Sequence, residues 1–339
     1  MPELSGAAYF ARFPGRTPVD FGRWKYFSNP AGEALVGIAL SGDRVVSIAA
    51  AVPKLIQVGS STFTTYELGD FITADDFRKR GLFSDLINMV CDEAARRGAP
   101  FVYVRPNPIS FPILANKLHF YEAAQIDQRR YVVPSGLIHR KTGTPAGLWQ
   151  AIGLDALAKK WFVPSPSGSA VQVQVEPVSR FSAEVDDLWE SVRNRYSFAL
   201  GRTSDYLNWR FTDCPTPYQK WVARRDGKVV GYLVAFLNEA ESTGYLIDHF
   251  AAPDDHDAVA ALLLRGFESM LAAGAPSVCC WTVREYADSA AATALTRACP
   301  VAAKPHLHFA LRVLDKAKVD PSSLPATGWQ LAIGDFDGV

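Results

Sequence analysis

Between Tyr66 and Tyr121 the chain passes from a strand-like run into Arg78-Lys79-Arg80-Gly81-Leu82-Phe83 and then, without a break, into a helical pattern. After Gly81 the apolar residues Leu82, Phe83, Leu86, Ile87, Val90 and Ala94 recur at the spacing of one buried helix face. The first turn of such a helix offers N–H groups with no intrahelical partner and the positive end of the helix dipole. Three cationic side chains precede it. Together these features form an anion site that suits a pyrophosphate. Glycine at position 81 lets the backbone adopt φ > 0 and approach a ligand closely.

This strand, loop and helix resemble the acyl-CoA motif of the GNAT superfamily, the GCN5-related N-acyltransferases, whose loop reads Gln/Arg-x-x-Gly-x-Gly/Ala. Arg78 and Gly81 match, whereas Phe83 stands where the family has a small residue, and its ring is expected to crowd the pyrophosphate. The resemblance implies acyl-CoA, acetyl or longer, as cosubstrate and no metal. It assigns the pyrophosphate to Arg78, Lys79, Arg80, Gly81, Leu82 and Phe83, and the pantetheine arm and thioester to Phe71 and Thr73 on a splayed central strand. Downstream, Phe101-Val102-Tyr103-Val104 is a compact β-type run, followed by Asn107-Pro108-Ile109-Ser110 and a helix closing on Lys117-Leu118-His119-Phe120. That order resembles the family's second motif, in which Asn opens a helix ending in Gly-Phe, and it adds Asn107 and Ser110 to the cofactor-binding set. His119 replaces the glycine. No tyrosine lies between Asn107 and Leu118, so the residue that often protonates the leaving thiolate in the family is missing from its usual place.

Acyl transfer to an amine needs a neutral nucleophile, so a carboxylate or a water chain must take the ammonium proton. Glu67 is the first candidate base, because it lies as far ahead of Arg78 as the catalytic glutamate of histone-modifying GNAT members lies ahead of their Gln/Arg position. Asp70 is the reserve. Simple alternation turns Asp70 to the opposite strand face, although a β-bulge at this point would reverse the parity. A backbone N–H near Phe71 would hold the oxyanion and leaves no side-chain signature.

At 339 residues with 48% hydrophobic content, the chain exceeds one ordinary core, so two domains are expected. Pro134-Ser135-Gly136, Thr142-Gly143-Thr144-Pro145 and Pro164–Ser169 punctuate the middle. Between the last two, a helix over Ala146–Trp161 carries Leu148, Trp149, Ile152, Leu154 and Leu157. The divisions follow as an acyl-CoA-binding domain over 1–133, a linker over 134–170, a second domain over 171–315 and a tail over 316–339. The second half repeats the first in fixed order. Gly42 before Arg44-Val45-Val46 matches Gly227 before Lys228-Val229-Val230, Glu67–Asp76 matches Leu246–Asp255, and Gly98-Ala99-Pro100 matches Gly274-Ala275-Pro276. A tandem duplication follows, and the fold class is α/β: two GNAT-like domains, each a mixed twisted sheet flanked by helices. In place of the basic loop the second copy has His256-Asp257-Ala258, with Asp254 and Asp255 adjacent, so it is read as degenerate and as shaping the acceptor side.

Zero formal net charge argues against nucleic acid or an anionic membrane as partner. The opening Met1-Pro2-Glu3-Leu4-Ser5 has no basic leader, so cytoplasmic residence is expected. The expected partner is a small amine acceptor, and the expected state a monomer or homodimer. Five cysteines without CxxC spacing read as packed core residues. His306-x-His308 puts two imidazoles on one strand face, with no third ligand spaced to suit. Asp335 and Asp337 lack the remaining ligands of an EF-hand and read as solvated. Two aromatic–basic clusters are candidates for acceptor binding: Trp24 and Tyr26 in one, and Arg202, Tyr206 and Arg210 in the other. Stacking faces with guanidinium groups suit a sugar, a nucleotide or a carboxylated acceptor. The two-domain layout resembles that of GNAT enzymes that acylate nucleotide-linked amino sugars, and that resemblance implies an amine on such a small polar molecule as acceptor. The alternatives are a peptidoglycan-type aminoacyl transferase using aminoacyl-tRNA and a non-catalytic GNAT-like binding module.

Overall fold

The computed structural model describes residues 18–135, 138, 142, 153–165, 173–284, 289–303, 305–320 and 328–336. The N-terminal half runs α1 (Pro18–Phe27), β1 (Leu35–Ser41), β2 (Arg44–Val58), β3 (Ser61–Thr73), α2 (Leu82–Arg96), β4 (Phe101–Val104), α3 (Phe111–Leu118) and β5 (Tyr121–Val132). Helix α4 (Leu154–Phe162) follows; the rest of the connecting helix read over Ala146–Trp161, including Leu148, Trp149 and Ile152, lies outside the described residues. The C-terminal half comprises β6 (Gln174–Pro177), α5 (Glu184–Val192), β7 (Phe198–Leu200), α6 (Ser204–Phe211), β8 (Gln219–Arg225), β9 (Lys228–Asn238), β10 (Thr243–Ala251), α7 (His256–Ala272) and β11 (Ser277–Val283). It ends with α8 (Ala290–Ala298), β12 (Val301–Ala302), β13 (Leu307–Val313) and β14 (Trp329–Gln330).

Two-residue turns link β1 to β2, where Gly42 takes φ 59°, and β8 to β9. Asp226 and Gly227 both take positive φ (51° and 77°), the pairing that lets a two-residue hairpin follow the right-handed twist of β8 and β9. Helix α2 buries Leu86, Ile87, Val90, Cys91 and Ala94 against the β1–β3 face, each fully buried large side chain stabilising by roughly 1.5–3 kcal/mol.

The strands join into one mixed sheet in the order β14-β7-β2-β3-β4-β13-β5-β11-β10-β9-β8-β6, with β1 on β2 and β12 on β5. The central part of that order is a palindrome of the two halves: exchanging β2 with β9, β3 with β10, β4 with β11 and β5 with β13 maps it onto itself. The class is therefore α/β, one large mixed sheet with flanking helices whose mirrored strand order is consistent with two tandem units that exchange strands. Strand β13, from the C-terminal half, lies between β4 and β5. Strand β5, from the N-terminal half, lies against β11.

A shared core seals the exchange, with Phe101, Tyr103 and Val52 from one half packed with Phe198, Phe309 and Phe336 from the other. Trp24 and Trp209 stack at 5.0 Å, and each indole N–H donates to the other's carbonyl (2.7 and 3.0 Å). All five cysteines are buried and unbridged.

His119 ends α3 in the left-handed conformation (φ 58°), and Phe120 N–H reaches back to the carbonyl of Leu114. Such a C-terminal position favours glycine. His119→Gly is therefore expected to stabilise the chain by about 0.5–1 kcal/mol. A lower denaturant midpoint would show instead that the imidazole contributes more than its backbone strain costs.

Candidate active site

The duplicated strands create the cleft. Strands β3 and β4 pair in parallel only at Tyr66–Val102 and Glu67–Tyr103, and beyond Glu67 no further pairing between them occurs. Two residues later β3 bulges. Ala50 faces Gly69 and Ile48 faces Ile72, so Asp70 and Phe71 together oppose Ala49, and Asp70 takes φ 53°. A bulge leaves a residue outside the ladder and re-aims the neighbouring side chains. Here it brings both Glu67 and Asp70 to the wall of one cleft of about 1160 Å³.

Glu67, Asp70, Phe71, Thr73, the whole run Arg78–Phe83, Asn107, Ser110 and Tyr26 all line this cleft. Gly81 takes φ 86° and opens α2, as its position before the helical pattern requires. Arg78, Lys79 and Arg80 are exposed, with Lys79 in the left-handed region. Arg78 pairs with Asp75 (2.7 Å), and Arg80 donates to the Asp76 carbonyl (2.9 Å), so an incoming anion competes with local acidic neighbours. The Phe83 ring meets Phe71 edge-on at 5.2 Å, packing on the core beneath α2 while still facing the cleft. Asn107 Oδ1 accepts from the N–H groups of Ile109 and Ser110 (2.9 and 2.8 Å), so this side chain shapes the turn into α3. Thr73 shares a hydroxyl hydrogen bond with Ser47 (2.8 Å).

The two carboxylates differ in their surroundings. Asp70 Oδ2 accepts from Lys25 Nζ (2.7 Å) and Tyr26 Oη (2.6 Å), and the Lys25 side chain is 3% exposed. Asp70 is thereby tied to α1. Glu67, 8% exposed, lies 3.4 Å from Lys54 Nζ, which also donates to Tyr206 Oη (3.2 Å) and sits over the rings of Tyr206 and Trp209.

Four of the five expected acceptor residues, Trp24, Arg202, Tyr206 and Arg210, do not line the cleft. Arg202 is fully buried, with its guanidinium paired to Asp248 (3.2 Å) and Asp335 (2.9 Å). Burial pushes the Asp335 carboxyl up to about 6, so this aspartate belongs to the core and is not the solvated tail residue its sequence neighbourhood implies. Asp337 lies outside the described residues. Arg210 is also buried and donates to the carbonyls of Gly334 and Phe336 and to Tyr218 Oη. Both arginines thus anchor the 328–336 segment and cannot meet an acceptor. Trp24 and Tyr206 are buried in the core beneath the cleft, leaving Tyr26 as the member of either cluster on its wall.

Besides the basic loop, Lys25 and Lys117, the cleft is lined by a cation absent from the expected set, Arg105, one residue past β4. Its guanidinium lies 5.3 Å from the Trp281 ring and 5.9 Å from Phe336, both from the C-terminal half. Its Nε is buried with no hydrogen-bond partner among the described residues. Burial holds Arg105 below the usual guanidinium range, opposed by the charge of Glu67. A charged residue directly after a fully apolar parallel strand was the signal available in the sequence, because ligands gather at the carboxyl ends of such strands.

In the second half the corresponding helix start is closed by the chain itself. Asp255 caps α7 by accepting from Ala258 N–H (3.1 Å) and pairs with Arg225, while Asp254 pairs with Arg195. Its own carboxylates thus occupy the ground a pyrophosphate would need.

Residues 7–117 match a family described as Acetyltransferase (GNAT) domain. No curated protein matches the chain. A conserved Enterococcus faecalis V583 protein of unknown function, a probable N-acyltransferase, is structurally similar over 91% of this chain and 68% of its own (TM-score 0.60, 13% identity). A GCN5-related N-acetyltransferase from Anabaena variabilis is similar over 90% and 67% (TM-score 0.59, 14% identity). Saccharomyces cerevisiae N-myristoyltransferase with bound myristoyl-CoA is similar over 92% and 80% (TM-score 0.55, 14% identity). At these identities the likeness is one of fold. No helix among the described residues is long and apolar enough to cross a membrane.

Proposed function

We propose that this chain, which carries a GNAT domain in its N-terminal half and the GNAT fold across both halves, is an acyl-CoA-dependent N-acyltransferase. The observation that carries the reading is one cleft joining three parts: the Gly81 helix start, the bulged and splayed β3, and the Glu67 carboxylate. In this reading the pyrophosphate rests on the first turn of α2 beside Arg78, Lys79 and Arg80. The pantetheine arm runs between β3 and β4, where backbone groups near Phe71 and Thr73 are released from pairing. Glu67 takes the ammonium proton of the acceptor, and the freed nitrogen attacks the thioester carbonyl. An N–H near Phe71 holds the oxyanion, and collapse of the adduct breaks the C–S bond; the nitrogen's surplus proton passes to water and the departing thiolate takes one from water, giving amide and CoA thiol. The Lys25 and Tyr26 contacts to Asp70 favour Glu67 over Asp70 as the base.

The acceptor is read as an amine carrying an anionic group, for which a nucleotide-linked amino sugar is one fitting class. Arg105 supplies the cation that Arg202 and Arg210 cannot, since a half-buried guanidinium lining the cleft gains most from an anionic ligand. Thiol release from acetyl-CoA and longer acyl-CoAs, screened against amines with and without carboxylate or phosphate groups, tests the reading. Arg105→Gln is expected to raise the acceptor KM by about 10- to 100-fold, the value of a hydrogen bond to a charged group, with acyl-CoA affinity unchanged. Equal KM values for wild type and variant with every anionic acceptor would remove Arg105 from the site. Saturable acyl-CoA binding with no thiol release by any amine would favour the non-catalytic binding module.

A further inference from the structure

His308 lies in β13 and His306 immediately precedes that strand, two residues away. Strand exchange brings to them a carboxylate lying more than 180 residues away in sequence. In β5 the register with β13 shifts, so that His308 faces Gln125 while Ala310 faces Glu122. The extra residue lets Gln125 and Glu122, three apart, share the face of the two histidines. Glu122 Oε1 then lies 2.5 Å from His308 Nδ1 and 3.7 Å from His306 Nε2. The ligand atoms of all three residues lie within 4.8 Å of one another.

We propose that Glu122, His306 and His308 bind a divalent transition metal of the zinc class, with water completing the shell, across the junction of the exchanged strands. Two imidazoles and one carboxylate suit zinc in donor type, and three protein ligands leave an open fourth position. In a tetrahedral shell with bonds of about 2.0–2.1 Å, ligand atoms stand about 3.3 Å apart, so side-chain adjustment alone closes the set. The supports that orient metal ligands are already in place. Phe111 lies flat on the His308 ring (3.9 Å, 10°), Gln125 Nε2 donates to Glu122 Oε2 (3.2 Å), and Arg284 donates to Gln125 Oε1 (2.7 Å) and Asp127 (2.7 Å). Since β5 comes from the N-terminal half and β13 from the C-terminal half, an ion here ties the two halves together.

The test is calorimetric titration of the chelator-stripped full chain with Zn2+ alone, near neutral pH. One equivalent per chain is expected, with proton release and a higher melting temperature. His306→Ala and Glu122→Gln should each weaken binding by at least about tenfold and abolish the thermal shift. His306→Ala leaves the His308–Phe111 stack in place, so a folding defect in a His308 variant would not decide the matter. His119→Ala, at the exposed end of α3, should bind like wild type. Absence of saturable binding, or binding that survives both His306→Ala and Glu122→Gln, would overturn the site and leave an ordinary histidine–carboxylate hydrogen bond.

Discussion

Gly81→Glu is expected to lower acyl-CoA affinity by at least about 100-fold, because it attacks the pyrophosphate position in three ways. The new carboxylate repels the anion at contact range, an effect of about 1–4 kcal/mol at the effective dielectrics of a protein surface. Its bulk occupies the path to the first N–H groups of α2. Its Cβ also starts 3.6 Å from Asp85 Oδ2, so the added charge joins an existing one. At 1.4 kcal/mol per factor of ten, those terms together exceed two decades. The fold should survive: a side chain at φ 86° costs about 1–2 kcal/mol, and α2 keeps its buried face. Calorimetry on wild type should give one acyl-CoA per chain, and on the variant none, with the circular dichroism unchanged. A variant of wild-type affinity would refute the loop assignment, and two equivalents in wild type would mean that the Asp255-capped helix start of the second half also binds.

Glu67→Gln should reduce kcat by roughly 10²- to 10⁴-fold with acyl-CoA affinity nearly unchanged, the usual range for loss of a general base. The structure adds a rival explanation to be separated. Glu67 is the carboxylate beside buried Lys54, and removing a charge partner from a buried pair destabilises strongly. The second contact of Lys54, to Tyr206 Oη, and the two rings beneath it limit that damage. The pH profile discriminates between the two. If Glu67 is the base, the deficit shrinks at high pH, where the acceptor amine is already neutral. If it only balances Lys54, the deficit follows stability and persists across pH. Wild-type kcat at neutral pH would transfer the role to Asp70 or to water.

Local chemistry made the Gly81 turn and the helix after it legible. A glycine needing positive φ, a basic run and a 3.6-residue apolar pattern act over a few residues, and the chain obeys them at Gly81 and along α2. The turn at Asn107 and the helix end at His119 are local in the same sense. The two glycine hairpins were readable in the same way, since Gly42 and Gly227 each take positive φ in a two-residue turn before an apolar strand. The bulge at Asp70 sat at the boundary, since its consequence could be stated from alternation and its occurrence could not.

Tertiary structure alone decided which side chains share a space. Arg202 and Arg210 have the aromatic neighbours of a binding helix, yet the 328–336 segment folds over them and supplies Asp335 and backbone carbonyls as partners. Arg105 acquires Trp281 and Phe336 as its walls only because the halves pack into one core. Glu122 reaches His306 and His308 only because β5 and β13 are exchanged. Sequence fixes propensity and pattern at short range, through φ, hydrogen bonds and side-chain alternation. Contacts across a hundred residues or more depend on which strand edges find each other, and in a duplicated chain both the self and the exchanged pairings satisfy the same local pattern.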